Sequence, residues 1–452
     1  MLYAILKFIY RVGLQVFFRK FEVRNRHLIP AQGPLLVVSN HPNTFMDPIV
    51  IASLLRQPVY FIAKGTVFGS GFQNWMLRQM HLIPIHRRED NPDQPISNEE
   101  AFSASFRALR DGQTLLIFPE GNSFNQRRLR KIKTGTARIA LGAEAENNYT
   151  LGVKILPIGL NYSAPTRFRS NVFVNIGEPI EVADYLEAYV QDKKAATVAL
   201  TDEIRNCLES RIIHTPTDEE DTLARQVETL YKKRLAATIP ATAPPHIHDF
   251  ILTKAIIRGI NHFSQVAPER VNAIKKEINH YTLQLKRLRL HDALLGKGPT
   301  TILRKSAIGL FFLLLGLPIY LYGLLHNYLP YIIPSRVARA VTKEEEWYAP
   351  IMLTVGIFTF PLFYWLEVWL LSQWIDMEGL ILVLHLITLP LSGFFTLGYW
   401  DTLLHTQAHW LLLRMFFQRR RLIEQLQKER EHIIAQLEQA RVEYLALQNT
   451  GS

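Results

Sequence analysis

LLVVSNHPNTFMDP, residues 35–48, changes character at Ser39. The apolar run before it reads as a strand buried on both faces, and the polar, proline-containing loop after it cannot continue that strand. In an α/β domain the loop at a strand's carboxyl end is where reactive side chains collect. Five more short apolar runs bounded by turn residues, at 59–63, 82–85, 114–118, 153–160 and 172–176, are interspersed with helical stretches such as 49–55 and 99–109. The pattern predicts an α/β domain with a central mixed sheet. No G-x-G-x-x-G or P-loop pattern follows any of these runs, which removes the usual warrant for a nucleotide-binding fold.

Within the loop, His41 can take a proton from a hydroxyl, and Asp47 can fix the imidazole tautomer and stabilise the imidazolium, with Asn40 as support. No neighbouring Ser or Cys is required, because an acceptor hydroxyl can itself attack a thioester. Taken alone, the same two residues also suit a helix cap and a turn before proline. A second strand end, LLIFPEGNSFNQRRLRKIKTGTARIAL (115–141), turns sharply at Gly121. Amides and hydroxyls around Gly121, Asn122 and Ser123 can receive phosphate oxygens, and Arg127, Arg128, Arg130, Lys131 and Lys133 add positive potential. Those cations equally suit a solvated basic helix. Glu120 would repel phosphate, so it is expected to brace the turn or orient a basic residue.

A third segment, 59–90, offers Arg87 as a bidentate phosphate clamp and Lys64 as a point charge, while Arg88 reads as a surface ion pair. His81 and His86 have no carboxylate or cysteine arrangement around them, so no metal is expected. The fourth segment, VKILPIGLNY (153–162), places Pro157 and Ile158 in a central strand.

Together these four segments resemble, in order, the four sequence blocks of the glycerolipid acyltransferase superfamily, over roughly residues 30–180: NHPNTFMD, the stretch ending IHRR, FPEGNS and ILPIGL. The usual first block has four residues between His and Asp, whereas five separate His41 from Asp47. That spacing resembles the variant HANQFVDP of fungal-type acyltransferases that accept glycerol-3-phosphate or dihydroxyacetone phosphate. The resemblance implies a glycerolipid-acyltransferase-type fold, with His41 as base and Asp47 as its partner. Arg87, Gly121 and the adjoining turn would engage acceptor phosphate, and Ile158 and its strand would line the donor or support the pocket. It also implies acyl-coenzyme A or acyl carrier protein as co-substrate, with no cofactor. Lysophosphatidate or another lysolipid is the alternative acceptor, and a non-catalytic membrane scaffold the alternative class.

The rest of the chain points to lipid. Residues 1–25 carry Lys7, Arg11, Arg19 and Lys20 among apolar residues and read as a basic amphipathic helix in the membrane interface, or else as a helix packed on the core. The catalytic domain is expected at 26–182 and a mainly helical extension at 183–303, broken by prolines at 239–248. A membrane region at 304–400 holds candidate spans 351–371 and 379–399, each near the roughly 20 residues that cross a bilayer. The linker between them lacks Lys and Arg while both outer flanks are basic, which places those flanks and the catalytic domain on the cytoplasmic side. The GLP interruption at 316–318 and Pro330 favour a re-entrant reading of 307–334 over a single span.

In the cytoplasmic tail, 401–452, Leu422, Leu426, Ile433, Leu437, Tyr444 and Leu447 form a stripe. It suits a coiled coil that builds a homo-oligomer, an interfacial helix, or packing on its own domain. The net charge of +11 suits anionic lipid and a small phosphorylated acceptor. With no zinc-finger or helix-turn-helix arrangement and with apolar spans present, nucleic acid is not an expected partner. The single cysteine, Cys207, excludes an intrachain disulfide.

Overall fold

The computed structural model describes residues 2–65, 68–69, 71–85, 98–237, 245–296, 298–375 and 379–450. The chain divides into two compact units, Met1–His214 with Ile333–Thr359, and Thr215–Ile332 with Phe360–Ser452.

The first unit begins with α1 (Leu2–Phe17), β1 (Lys20–Arg24), β2 (Leu35–Ser39), α2 (Met46–Leu54), β3 (Val59–Lys64), α3 (Gly71–Gln79) and β4 (Leu82–Ile85). It continues through α4 (Glu99–Arg110), β5 (Thr114–Ile117), α5 (Gly135–Glu146), β6 (Lys154–Tyr162), β7 (Asn171–Ile176), β8 (Ile180–Glu181), α6 (Leu186–Gln191) and α7 (Lys193–Arg211). The strands form one mixed sheet in the order β1-β7-β6-β2-β5-β3-β4, with β8 also on β6. At its centre β2 is parallel to both β5 and β6, with Val38 opposite Ile117 and Pro157, so these three strands end at one edge. β3 and β4 run the same way and end there too.

Alternation divides the sheet's side chains between two cores. Leu36, Val38, Leu115, Ile117 and Ile155 pack with α4, α5 and α7. Leu35, Val37, Leu116, Leu156 and Ile158 pack with α1 and α2. This unit is wider than the expected 26–182. Leu200, Ile204 and Leu208 of α7 belong to the first core, and Leu14, Ala349 and Leu353 to the second.

The opening segment is not one helix to residue 25, because β1 occupies Lys20–Arg24 and pairs with β7 at the sheet edge. α1 has two apolar faces. Leu14 and Phe17 are buried, as packing on the core requires, while Ile5, Phe8, Ile9, Val12 and Val16 form an exposed stripe.

The second unit is helical: α8 (Asp218–Ala236), α9 (Pro245–Val266), α10 (Pro268–Leu288), α11 (Asp292–Leu295), α12 (Pro299–Val341), α13 (Tyr348–Ser372), α14 (Gly379–Gln418) and α15 (Arg420–Thr450), with α12 and α13 contributing their ends to the first. Ile423, Leu426, Ile433 and Ile434 of α15 are buried against this unit's own core. Of the tail stripe, Leu426 and Ile433 are thus spent within the chain, with Leu422 and Leu437 packed against the same core, while Leu447 stays exposed.

Among the described residues, three helices are long and apolar enough to cross a membrane: α12, α13 with the turn before it, and α14. The expected re-entrant fold of 307–334 is overturned, since α12 runs unbroken for 43 residues through Pro318, Pro330 and Pro334. In an apolar medium a break would strand N–H and C=O groups without water, so prolines are accommodated rather than opened into a loop. The helix also has a seam to hold it. Gly309, Gly316 and Gly323 recur every seven residues along α12 and face α14. A Cβ at Gly323 would collide with the Ser392 carbonyl oxygen, so only glycine permits this approach. Asn327 in the same seam donates to the carbonyls of Gly323 (3.0 Å) and Leu389 (3.1 Å) and accepts from the Tyr364 hydroxyl (2.6 Å).

Candidate active site

The chain leaves β2 at Ser39 and re-enters regular structure at Met46, the first residue of α2. Asn40 pins the intervening loop to β6: its Nδ2 donates to the Leu160 carbonyl (2.9 Å) and its Oδ1 accepts from the Leu160 amide (2.8 Å). Asn43 Nδ2 donates to the Pro165 carbonyl (3.0 Å), and Thr44 sits at φ 32°, in the left-handed region. This turn carries Asp47 into the first turn of α2, where the helix dipole favours a negative charge.

His41 and Asp47 meet there. Nδ1 of His41 lies 2.9 Å from Oδ2 of Asp47, whose side chain is wholly buried. The same oxygen accepts from the Asn43 amide (2.7 Å), and Oδ1 accepts from the Tyr162 hydroxyl (2.7 Å). Both carboxylate oxygens are therefore occupied, and the ring presents Nε2 as its remaining nitrogen. The imidazole stacks on Phe118, with centroids 3.9 Å apart and an interplanar angle of 10°.

Glu120 joins this loop to the turn after β5. Its Oε1 accepts from the His41 amide (2.9 Å) and its Oε2 from the Arg130 amide (3.0 Å). Burial pushes its carboxyl pKa up, and the two amide bonds only partly offset that. Gly121 at φ 83° turns the chain, with its amide engaged by the Phe118 carbonyl (3.0 Å). A Cβ there would meet Nζ of Lys133 at 3.1 Å, so that ammonium lies against the turn. Asn122 is exposed and Ser123 half-buried beside it. The basic run is an irregular loop, not a solvated helix, up to α5 at Gly135. Arg130 in it lies over the Phe124 ring, 3.2 Å from the centroid.

The remaining expected residues are dispersed. Ile158 is fully buried, opposite Ser39 in the sheet register, and does not reach the surface. Pro157 accepts from the Gly177 amide (2.8 Å). Lys64 closes β3 at the active edge, although its side chain lies outside the described residues, as does the whole of Arg87. Among the described residues no group of His, Cys, Asp and Glu is arranged to hold a metal ion.

Tyr162 is the site residue that the sequence reading left without a role. It sits on the face of β6 that carries Leu156, Ile158 and Leu160, toward α1 and α2, and that parity is the signal that could have found it. Desolvation and the Asp47 carboxylate hold its hydroxyl pKa well above the phenolic range, so it remains a donor.

Residues 20–161 match the Acyltransferase family model. The chain is 23% identical to an uncharacterized acyltransferase of Schizosaccharomyces pombe, over 62% of this chain and 53% of that protein. It is 22% identical to glycerol-3-phosphate O-acyltransferase 2 of Saccharomyces cerevisiae, over 64% of this chain and 52% of that protein. It is 26% identical to the 1-acyl-sn-glycerol-3-phosphate acyltransferase of Borreliella burgdorferi, over 42% of this chain and 72% of that one. The chain thus spans about half the length of these two fungal proteins. Its sheet-bearing part is similar to acyltransferases over residues 20–161, and long apolar helices of membrane-crossing length follow it.

Proposed function

We propose that this acyltransferase domain moves a fatty acyl group from acyl-coenzyme A or acyl carrier protein to a hydroxyl of glycerol-3-phosphate or dihydroxyacetone phosphate, at the cytoplasmic face of a membrane. The observation that carries the reading is His41, locked through Nδ1 onto a buried Asp47 whose other bonds are all satisfied. With Nδ1–H donating to Asp47, Nε2 takes the acceptor hydroxyl's proton as its oxygen attacks the thioester carbonyl. The tetrahedral intermediate collapses by breaking the carbon–sulfur bond, and the thiolate leaves with the proton held by His41. The products are an ester and a free thiol.

Phosphate of the acceptor is assigned to the turn at Gly121, Asn122 and Ser123, with Lys133 against it and with Lys64 and Arg87 contributing charge. The five-residue spacing between His41 and Asp47 and the likeness to a yeast glycerol-3-phosphate acyltransferase favour a small acceptor. The likeness to the Borreliella enzyme favours a lysophosphatidate acceptor as the second reading.

The test is acyl transfer from labelled palmitoyl-coenzyme A by the solubilised protein, with glycerol-3-phosphate, dihydroxyacetone phosphate and lysophosphatidate offered separately. Ester formation with a small acceptor, lost in His41→Ala, is the expected result. Activity that survives His41→Ala would sink the assignment of the base, and product with lysophosphatidate alone would select the second reading.

A further inference from the structure

The catalytic loop touches a segment some 300 residues further along the chain. Thr44 Oγ1 donates to the Glu346 carbonyl (2.8 Å), and the Phe45 ring meets Trp347 edge-on, with centroids 5.1 Å apart. From the other catalytic block, Asn125 Nδ2 reaches Glu345 Oε2 (3.5 Å). Three consecutive residues, Glu345–Trp347, therefore contact both blocks, and they form the single helical turn that leads into α13.

The loop does not need these contacts to hold its shape. Asn40, Asn43, Asp47 and the His41 amide already fix it to β6, Pro165, Tyr162 and Glu120. What the extra contacts add is a rigid link to a membrane helix. Ala349 and Leu353 of α13 are buried in the sheet's second core, whereas Phe358, one turn on, is 68% exposed. α1 packs along the same stretch: the Tyr10 hydroxyl lies 3.1 Å from Thr354 Oγ1, and Gly13 abuts Leu353 and Ile357. Its exposed stripe, from Ile5 to Val16, belongs to the same unit as the α13 residues from which the apolar surface continues. Trp347 and Tyr348 stand at the helix start, where amphipathic aromatic rings mark a bilayer surface.

We propose that Glu345–Trp347 is a positioning strap that holds the His41 loop at the level of the bilayer surface. The exposed stripe of α1 rests on lipid, so that a membrane-dissolved acyl chain and a water-soluble acceptor meet at Nε2. The proposal rests on the acyl-transfer reading above. The strap acts through Thr44 and Phe45 and is not itself catalytic.

The experiment uses the full chain in phosphatidylglycerol–phosphatidylcholine vesicles and two donors on the same sample: palmitoyl-coenzyme A, which partitions into the bilayer, and butyryl-coenzyme A, which stays in water. Trp347→Ala is expected to lower kcat/KM for the palmitoyl donor about tenfold, the upper range for one aromatic pair. The butyryl donor should change less than about twofold, with Tm within a few degrees of the parent. Trp347→Phe, which keeps the ring edge on Phe45, should restore palmitoyl transfer. Equal loss with both donors, or loss with neither, overturns the strap while leaving the acyl-transfer reading in place. An unaltered protein inactive with both donors, and with palmitoyl-acyl carrier protein in their place, overturns the acyl-transfer reading itself.

Discussion

Tyr162→Phe isolates one bond in the site. The change removes an oxygen, keeps the ring in the core, and leaves Asp47 with two of its three hydrogen bonds, those from His41 Nδ1 and the Asn43 amide. The lost bond is 2.7 Å long and ends on a carboxylate with no solvent exposure, so water cannot replace it. A hydrogen bond to a charged group contributes about 1.5–3 kcal/mol. Part of that loss appears as stability, and part as freedom for the carboxylate to rotate away from Nδ1. If half of it reaches the transition state, kcat falls by about three- to tenfold, since about 1.4 kcal/mol is tenfold in rate. KM for donor and acceptor should stay within about twofold, because the Tyr162 hydroxyl is spent on the buried Asp47 carboxylate. The assay is steady-state acyl transfer by Tyr162→Phe, alone and combined with His41→Ala. Because the hydroxyl acts only through the histidine, the double variant should be no slower than His41→Ala. A further drop in the double variant, or a full-speed single variant with unchanged Tm, would refute the chain of bonds from Tyr162 to Asp47 to His41.

Glu120→Gln leaves one amide, at His41 or Arg130, facing an NH2 group, and should lower stability by about 1–3 kcal/mol. The pKa of Glu120 is raised in the folded state, so its contribution to stability is full below the unfolded value and is lost as pH rises through the folded one. The difference in Tm between parent and variant should therefore be largest at mildly acid pH and shrink toward neutrality; a difference that grows with pH would contradict the burial argument. In the membrane seam, Gly323→Val drives a side chain into the Ser392 carbonyl and should cost about 1–3 kcal/mol or more of thermal stability in detergent. Gly398→Ala on α14 meets no atom within 4 Å and serves as the control that should leave Tm unchanged or slightly raised.

What could be read from the sequence was what local chemistry encodes. The runs at 35–39 and 82–85 are strands with those limits, because short apolar segments closed by turn residues have few other ways to be buried. His41 and Asp47 were visible as a pair because only five residues separate them. The links from Glu120 to His41 and from Tyr162 to Asp47 join residues 79 and 115 positions apart, and no local pattern announces such a distance. β1 was hidden behind the helix before it: a short edge strand of mixed polarity lacks the continuous apolar signal of a central one. In α12 the prolines misled, because their cost is set against the alternative of bare peptide groups in an apolar medium, and the sequence shows only the first half of that comparison.

The placement of Ala349 and Leu353 in the sheet's second core bears on how the protein is made. At about 5–20 residues per second, a ribosome that has finished the sheet needs on the order of ten seconds to deliver the segment that completes it. Until then the nascent first unit presents an apolar seat to the cell. A chaperone or the membrane itself has that interval to shield it, and a stop in translation between His214 and Ile333 would release a sheet that carries His41 but lacks the α13 residues that cover its second core.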